Sequence, residues 1–88
     1  MVLKQNIFGQ VFTEILKKYG ISCYEISQFS GLDEAYLSRL KNGIKNNPSL
    51  ETVIKISLSL VHYSDRVQLY DIQRLLTSVG RSIVISAI

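Results

Sequence analysis

Residues 22–50 read SCYEISQFSGLDEAYLSRLKNGIKNNPSL, punctuated as two short helices joined by a tight turn. Ser22 and Glu25 stand at capping-box spacing, so the serine oxygen can accept a backbone N–H while the glutamate reaches back. Tyr24, Ile26 and Phe29 give this first helix, expected over 23–30, an apolar side. Gly31 can enter the left-handed conformation that ends a helix and turns the chain. Asp33 suits the N-cap of a second helix over 34–41, with Leu37 and Leu40 facing inward, and Asn42-Gly43 closes it.

Upstream, Ile7, Phe8, Val11, Phe12, Ile15, Leu16 and Tyr19 recur at helical spacing and predict an amphipathic helix over about 5–18. Lys17 and Lys18 complement the dipole of its last turn, and Gly20 ends it. Downstream, the polar loop Ile44-Lys45-Asn46-Asn47-Pro48 leads into Ser49, the expected N-cap of a fourth helix. Leu50, Val53, Ile54, Leu58 and Val61 share one face of that helix and are expected to point inward, with Lys55 and Ser59 towards the other side. His62, Tyr63, Ser64 and Asp65 break the pattern. Leu69, Ile72, Leu75, Leu76 and Val79 resume it, predicting a fifth helix from about 65 to 79 closed by Gly80.

The last segment, RSIVISAI, changes period. Its β-branched residues and its length suit a strand, and the rest of the chain offers no second strand for it to pair with. An unpaired strand edge is a template for another chain. The simplest solution is antiparallel pairing across a twofold axis in a homodimer. Ser82 opens this expected strand; Ile83, Ile85 and Ala87 would face one side, Val84, Ser86 and Ile88 the other, and the more apolar side would cover the fifth helix. The competing reading is a helix extension or a disordered tail. The expected division is therefore 1–80 as a helical domain and 81–88 as a dimerisation strand.

Eighty-eight residues make one small domain, and 47% apolar against 19% charged residues makes it globular, not disordered. Ten Lys and Arg against seven Asp and Glu give +3 and a pI near 9.2, a mild basic bias compatible with nucleic acid. A single cysteine cannot close an internal disulfide, which favours a reducing compartment. The first residues lack the apolar core and cleavage site of a signal peptide, and no run approaches the roughly 18 apolar residues of a membrane span. A soluble, cytoplasmic protein without membrane contact is expected.

Helix, glycine turn and helix make a helix-turn-helix, whose main physical use is setting one helix in the DNA major groove. Residues 5–61 as a whole resemble the Cro/repressor-like, or xenobiotic-response-element-like, helix-turn-helix family. The matching residues are Gly20-Ile21-Ser22, Glu25-Ile26, Ser30-Gly31-Leu32, Tyr36-Leu37-Ser38-Arg39-Leu40-Lys41-Asn42-Gly43 and Asn47-Pro48-Ser49-Leu50-Glu51-Thr52. The resemblance implies an all-α, five-helix, lambda-repressor-like bundle that binds palindromic double-stranded operator DNA as a homodimer, one half-site per protomer.

With Leu37 and Leu40 inward, the outer side of the third helix carries Glu34, Ala35, Ser38 and Arg39. The resemblance puts base reading on Glu34, Ala35 and Arg39, with Ser38 alongside. Arg39 can fork onto guanine O6 and N7, Ala35 can touch a thymine methyl, and Glu34 can accept from cytosine N4. Asp33-Glu34 places two carboxylates where the family more often has Ser, Thr, Gln or Arg. Capping accounts for Asp33 and competes with base reading for Glu34. Phosphate contacts are expected at Ser22 and Cys23, on the N–H groups that open the second helix, and at Gln28 on its outer face. Asn42, Lys45, Asn46, Asn47 and Ser49, in the loop and at the start of helix four, complete the set by the same resemblance.

Cys23 stands where the family commonly has glutamine, and without a second cysteine or a basic neighbour in sequence its expected role is contact or packing. His62 has no ligand-spaced companion, so no metal site and no cofactor are expected. No Ser/His/Asp set, glycine-rich phosphate loop or paired carboxylates point to catalysis. The leading expectation is a sequence-specific homodimeric transcriptional regulator, a repressor. A second is the antitoxin of a toxin–antitoxin module, which would bind a toxin protein and repress its own operon, because LTSVGRSIVISAI looks similar to the dimerising strand of some antitoxins. A third is a protein-interaction module that has lost DNA binding.

Overall fold

A computed structural model describes residues 7–80, which form five helices: α1 Ile7–Tyr19, α2 Cys23–Ser30, α3 Glu34–Lys41, α4 Leu50–Tyr63 and α5 Leu69–Ser78. The segment expected to be a dimerising strand, 81–88, lies outside the described residues. The helix boundaries arise from local chemistry. Ser22 Oγ accepts from the Glu25 N–H at 3.1 Å and Glu25 Oε1 accepts from the Ser22 N–H at 3.0 Å, which completes the expected capping box. Asp33 Oδ2 accepts from the Tyr36 N–H at 3.0 Å, and Ser49 Oγ from the Thr52 N–H at 3.2 Å. Replacing Ser22 with alanine is expected to lower stability by about 0.5–2 kcal/mol, read as a reduced urea midpoint at unchanged slope.

Two helix ends share a glycine device. After α1, the Ile21 N–H donates to the Leu16 carbonyl across left-handed Gly20. After α3, the Ile44 N–H donates to the Arg39 carbonyl across left-handed Gly43. Both are six-to-one Schellman closures, which satisfy carbonyls that a helix end would otherwise leave orphaned.

The core is built from α1 outward. Phe8, Phe12, Ile15 and Leu16 of α1 pack with Ile26 of α2, Leu37 and Leu40 of α3, Val53, Ile56 and Leu60 of α4, and Leu75 and Leu76 of α5. Leu37 and Leu40 face inward as expected, so the opposite side of α3 faces out. In α2, Ile26 is the buried residue, while Tyr24 and Phe29 are exposed, contrary to expectation. Phe29 instead stacks on His62 at a 4.2 Å centroid separation, and Tyr63 meets both rings edge-on. That aromatic contact ties the end of α2 to the end of α4.

The expected inward face of α4 is corrected by one helical step. Val53 is buried as expected, but Leu50, Ile54, Leu58 and Val61 are exposed, and the buried residues are Val53, Ile56, Ser57, Ser59 and Leu60. The reason lies in the two serines. Ser57 Oγ donates to the Val53 carbonyl and Ser59 Oγ to the Lys55 carbonyl, each at 2.8 Å. A hydroxyl satisfied within its own helix can be buried at low cost, so small serines fill the tight side and an aliphatic stripe is left outside.

Helix α5 begins at Leu69, not near 65. The Arg66 N–H donates to Ser64 Oγ in a turn, and Asp71 Oδ2 accepts from the Gln68 N–H at 2.9 Å to set the start of the helix. Asp71 itself is 2% exposed. Its carboxylate accepts a short hydrogen bond from the Tyr19 hydroxyl and has Lys18 Nζ at 3.8 Å. A second tie, Arg74 Nη2 to Glu14 Oε1 at 2.7 Å, runs between the same two helices. A buried carboxylate with these partners clasps α5 to α1.

Candidate nucleic-acid interface

The outward side of α3 displays Glu34, Ala35 and Arg39, all exposed, with Ser38 half-buried between them. The fully buried Leu37 and Leu40 on the opposite side fix the rotation of the helix. Ser38 Oγ accepts a hydrogen bond from Asn42 Nδ2 at 3.4 Å. No carboxylate among the described residues forms an ion pair with Arg39, which leaves its fork of donors open to a base edge. Of the two acids at the tip, Asp33 is engaged as the cap, and Glu34 sits exposed in the first turn.

Ser22, Gln28, Asn42, Lys45, Asn46, Asn47 and Ser49 are exposed, and Cys23 is half-buried. The structure brings Ser22 and Cys23 to a cleft of about 360 Å³ lined also by Thr13, Lys17, Gly20 and Lys41. Ser22 and Glu25 satisfy each other in the capping box, which leaves the Cys23 and Tyr24 N–H groups as the open donors of the α2 terminus. Two cations, Lys17 from α1 and Lys41 from α3, flank those donors. Oriented N–H groups with adjacent ammonium groups can hold a phosphate oxygen.

Lys17 and Lys41 are the site residues that sequence reading missed. Lys41 stands seven residues after Glu34, two helical turns, so a count along α3 places both on one side. The Cys23 thiol reports the same grouping. Burial pushes its pKa up, Lys41 pulls it down and Glu34 pushes it up, with a net rise. A raised thiol pKa opposes thiolate formation, in keeping with packing and not redox reactivity.

The loop after α3 is held by backbone. The N–H groups of Ile44 and Lys45 both donate to the Arg39 carbonyl, at 2.9 and 3.1 Å. Asn47 has a φ of 52°, a left-handed conformation that asparagine tolerates better than most residues, and Pro48 after it is buried. Lys45, Asn46 and Asn47 are thereby displayed on a fixed loop between the C-terminus of α3 and the Ser49 cap. Gln28 is exposed on α2 and does not line the cleft at Ser22 and Cys23.

Among the described residues, no three His, Cys, Asp or Glu side chains come together as metal ligands, and no helix is long and apolar enough to cross a membrane.

Comparison with known proteins gives a family match over the same helices. The helix-turn-helix family model matches residues 13–60. The HTH-type transcriptional regulator SlrR of Bacillus subtilis (strain 168) is 30% identical over 54 residues, which is 61% of this chain and 36% of that protein. The match thus spans little more than a third of the relative's length. No solved structure gives a significant match.

Proposed function

This chain belongs to the helix-turn-helix family, and on that premise we propose that it is a sequence-specific, homodimeric DNA-binding regulator that represses transcription by occupying a palindromic operator. The observation that carries the reading is the outer face of α3, where Arg39, Ala35, Glu34 and Ser38 are held outward by the buried Leu37 and Leu40. In this reading α3 lies in the major groove. Arg39 forks onto a guanine, Ala35 meets a thymine methyl and Glu34 accepts from a cytosine amino group.

Phosphates flank the groove on both sides of α3. On one side the Cys23 and Tyr24 N–H groups with Lys17 and Lys41 hold one strand, and Gln28 lies along the same helix. On the other, Asn42, Lys45, Asn46, Asn47 and Ser49 approach the opposite strand. Phosphate contacts fix register and base contacts select sequence. A second protomer, paired through Ser82, Ile83, Val84, Ile85, Ser86, Ala87 and Ile88, would supply the second half-site.

Selection of bound duplexes from a random pool tests the reading, with a palindromic consensus containing a guanine in each half-site as the expected result. Recovery of no consensus, or of a single unrepeated half-site, would count against it. Lys41→Gln is expected to weaken binding to all duplexes alike and to reduce the slope of log K against log salt by about 1. The check is fluorescence anisotropy across a salt series.

A further inference from the structure

The exposed stripe of α4 is not an isolated set of aliphatics. Leu50, Ile54, Leu58 and Val61 are 38%, 45%, 54% and 47% exposed, and they recur along one side of the helix. With Ile72 and Leu76 of α5 they line an open groove of about 390 Å³, in which Ser57 is the one polar residue. A contiguous apolar surface of this kind on a small domain marks a contact site. Its chemistry selects an uncharged, aliphatic occupant.

The chain itself supplies such an occupant next to the groove. Ile72 and Leu76 stand four residues apart on the α5 wall, and Gly80, four residues further, ends that row. There the chain turns with a left-handed φ of 78°. The segment beyond Gly80 is RSIVISAI, uncharged after Arg81. At strand periodicity Arg81, Ile83, Ile85 and Ala87 share one face, which is wholly apolar after the arginine at its tethered end, whereas the other face alternates with Ser82 and Ser86. Eight extended residues reach about 26 Å. From Leu50 to Val61 the α4 stripe runs about 17 Å at the helical rise. A segment tethered at Gly80 would meet the groove at an effective concentration in the roughly millimolar range, ahead of any free partner.

We propose that residues 81–88 lie extended along the α4–α5 groove of their own chain, with Ile83, Ile85 and Ala87 against Leu50, Ile54, Leu58, Val61, Ile72 and Leu76. The seat requires neither DNA nor a second protomer. It leaves the outer edge of the segment open, which is the edge that the proposed dimer would pair. In that arrangement the helices bury the side chains of the strand, and the partner strand satisfies its backbone.

The test is disulfide trapping in the full chain with Cys23→Ser as background. Ile85→Cys is combined in turn with Ile54→Cys, with Leu58→Cys and, as a control on another face, with Tyr24→Cys. Mild oxidation at micromolar concentration is expected to close an intramolecular bond in at least one groove pair, about tenfold faster than in the control, since a disulfide forms where Cα atoms come within about 7 Å. Bonds that form only between chains, from a swapped segment or a second copy seated face to face, would overturn the proposal, as would rates equal to the control. A second readout uses no cysteine. Ile83→Ser combined with Ile85→Ser should uncover the groove and raise binding of an apolar fluorescent dye several-fold while helical circular dichroism is unchanged. Unchanged dye binding would also overturn it. Neither measurement involves DNA, so failure here leaves the operator selection intact, and the reverse.

Discussion

Arg39→Ala is expected to cost about 1–3 kcal/mol of base discrimination at each half-site, roughly 5- to 150-fold, with little change in stability. The guanidinium is exposed and joins no ion pair among the described residues. Its backbone carbonyl, which accepts from Ile44 and Lys45, survives the substitution. Fold and loop should therefore persist while the fork that reads a base is lost. Competition between the selected duplex and single-base variants is the measurement. Loss should concentrate at one base pair per half-site, with the others nearly unaffected. Arg39→Lys is the companion variant: a point charge restores general affinity without the bidentate geometry. An equal loss on every duplex would instead make Arg39 a phosphate contact.

The largest expected effect on stability comes from the contact between α1 and α5. Asp71→Ala removes at once the acceptor of the Tyr19 hydroxyl, the acceptor of the Gln68 N–H and the partner of Lys18. Lost hydrogen bonds to a buried charge, plus the lost start of α5, should cost about 2–4 kcal/mol, a large share of a small domain's stability. Burial pushes the Asp71 carboxyl up, but the Tyr19 and Gln68 hydrogen bonds and the charges of Lys18 and Arg74 outweigh it and hold the pKa below the ordinary 3.8. A carboxyl depressed in the folded state contributes stability that is intact above its unfolded pKa of about 3.9 and is lost as pH falls through the folded value. Urea unfolding of the parent chain and of Asp71→Asn should differ most at neutral pH. The gap should narrow steadily below about pH 4. A gap that does not change with pH would mean that Asp71 contributes only by shape.

Apart from the start of α5 at Leu69, helix ends were the legible part of this sequence, because each is decided within four or five residues. Ser22 with Glu25, Asp33, Ser49 and the left-handed glycines act on their own neighbours, and the structure uses each as expected. The inward rotation of α3 was legible for the same reason, since Leu37 and Leu40 leave few alternatives. Helix α4 was not. It carries aliphatics on most of its circumference, and whether Ser57 and Ser59 can be buried depends on hydroxyl bonds to Val53 and Lys55 that periodicity does not reveal.

The electrostatic parts were hidden by distance along the chain. Asp71 falls inside the fifth helix expected from about 65, with no feature that singles it out, and only the packing of α5 on α1 gives it Tyr19. Lys17 reads as a dipole-compensating residue and Lys41 as the last residue of a helix. Packing of three helices places both beside the Cys23 N–H. Contacts of that kind are set by tertiary arrangement, which capping rules and spacing do not encode.

The clasp between α1 and α5 joins parts of the chain that lie far apart in sequence. Its hydrogen bonds join Tyr19 to Asp71 and Glu14 to Arg74, spans of 52 and 60 residues. The contacts among α1, α2 and α3 close much shorter loops. Loop-closure entropy rises only slowly with length, so ties across spans of 52 and 60 residues cost little more than short ones. One helix carries both the charged clasp and a wall of the apolar groove, so the fastening of α5 to α1 also fixes the shape of that groove.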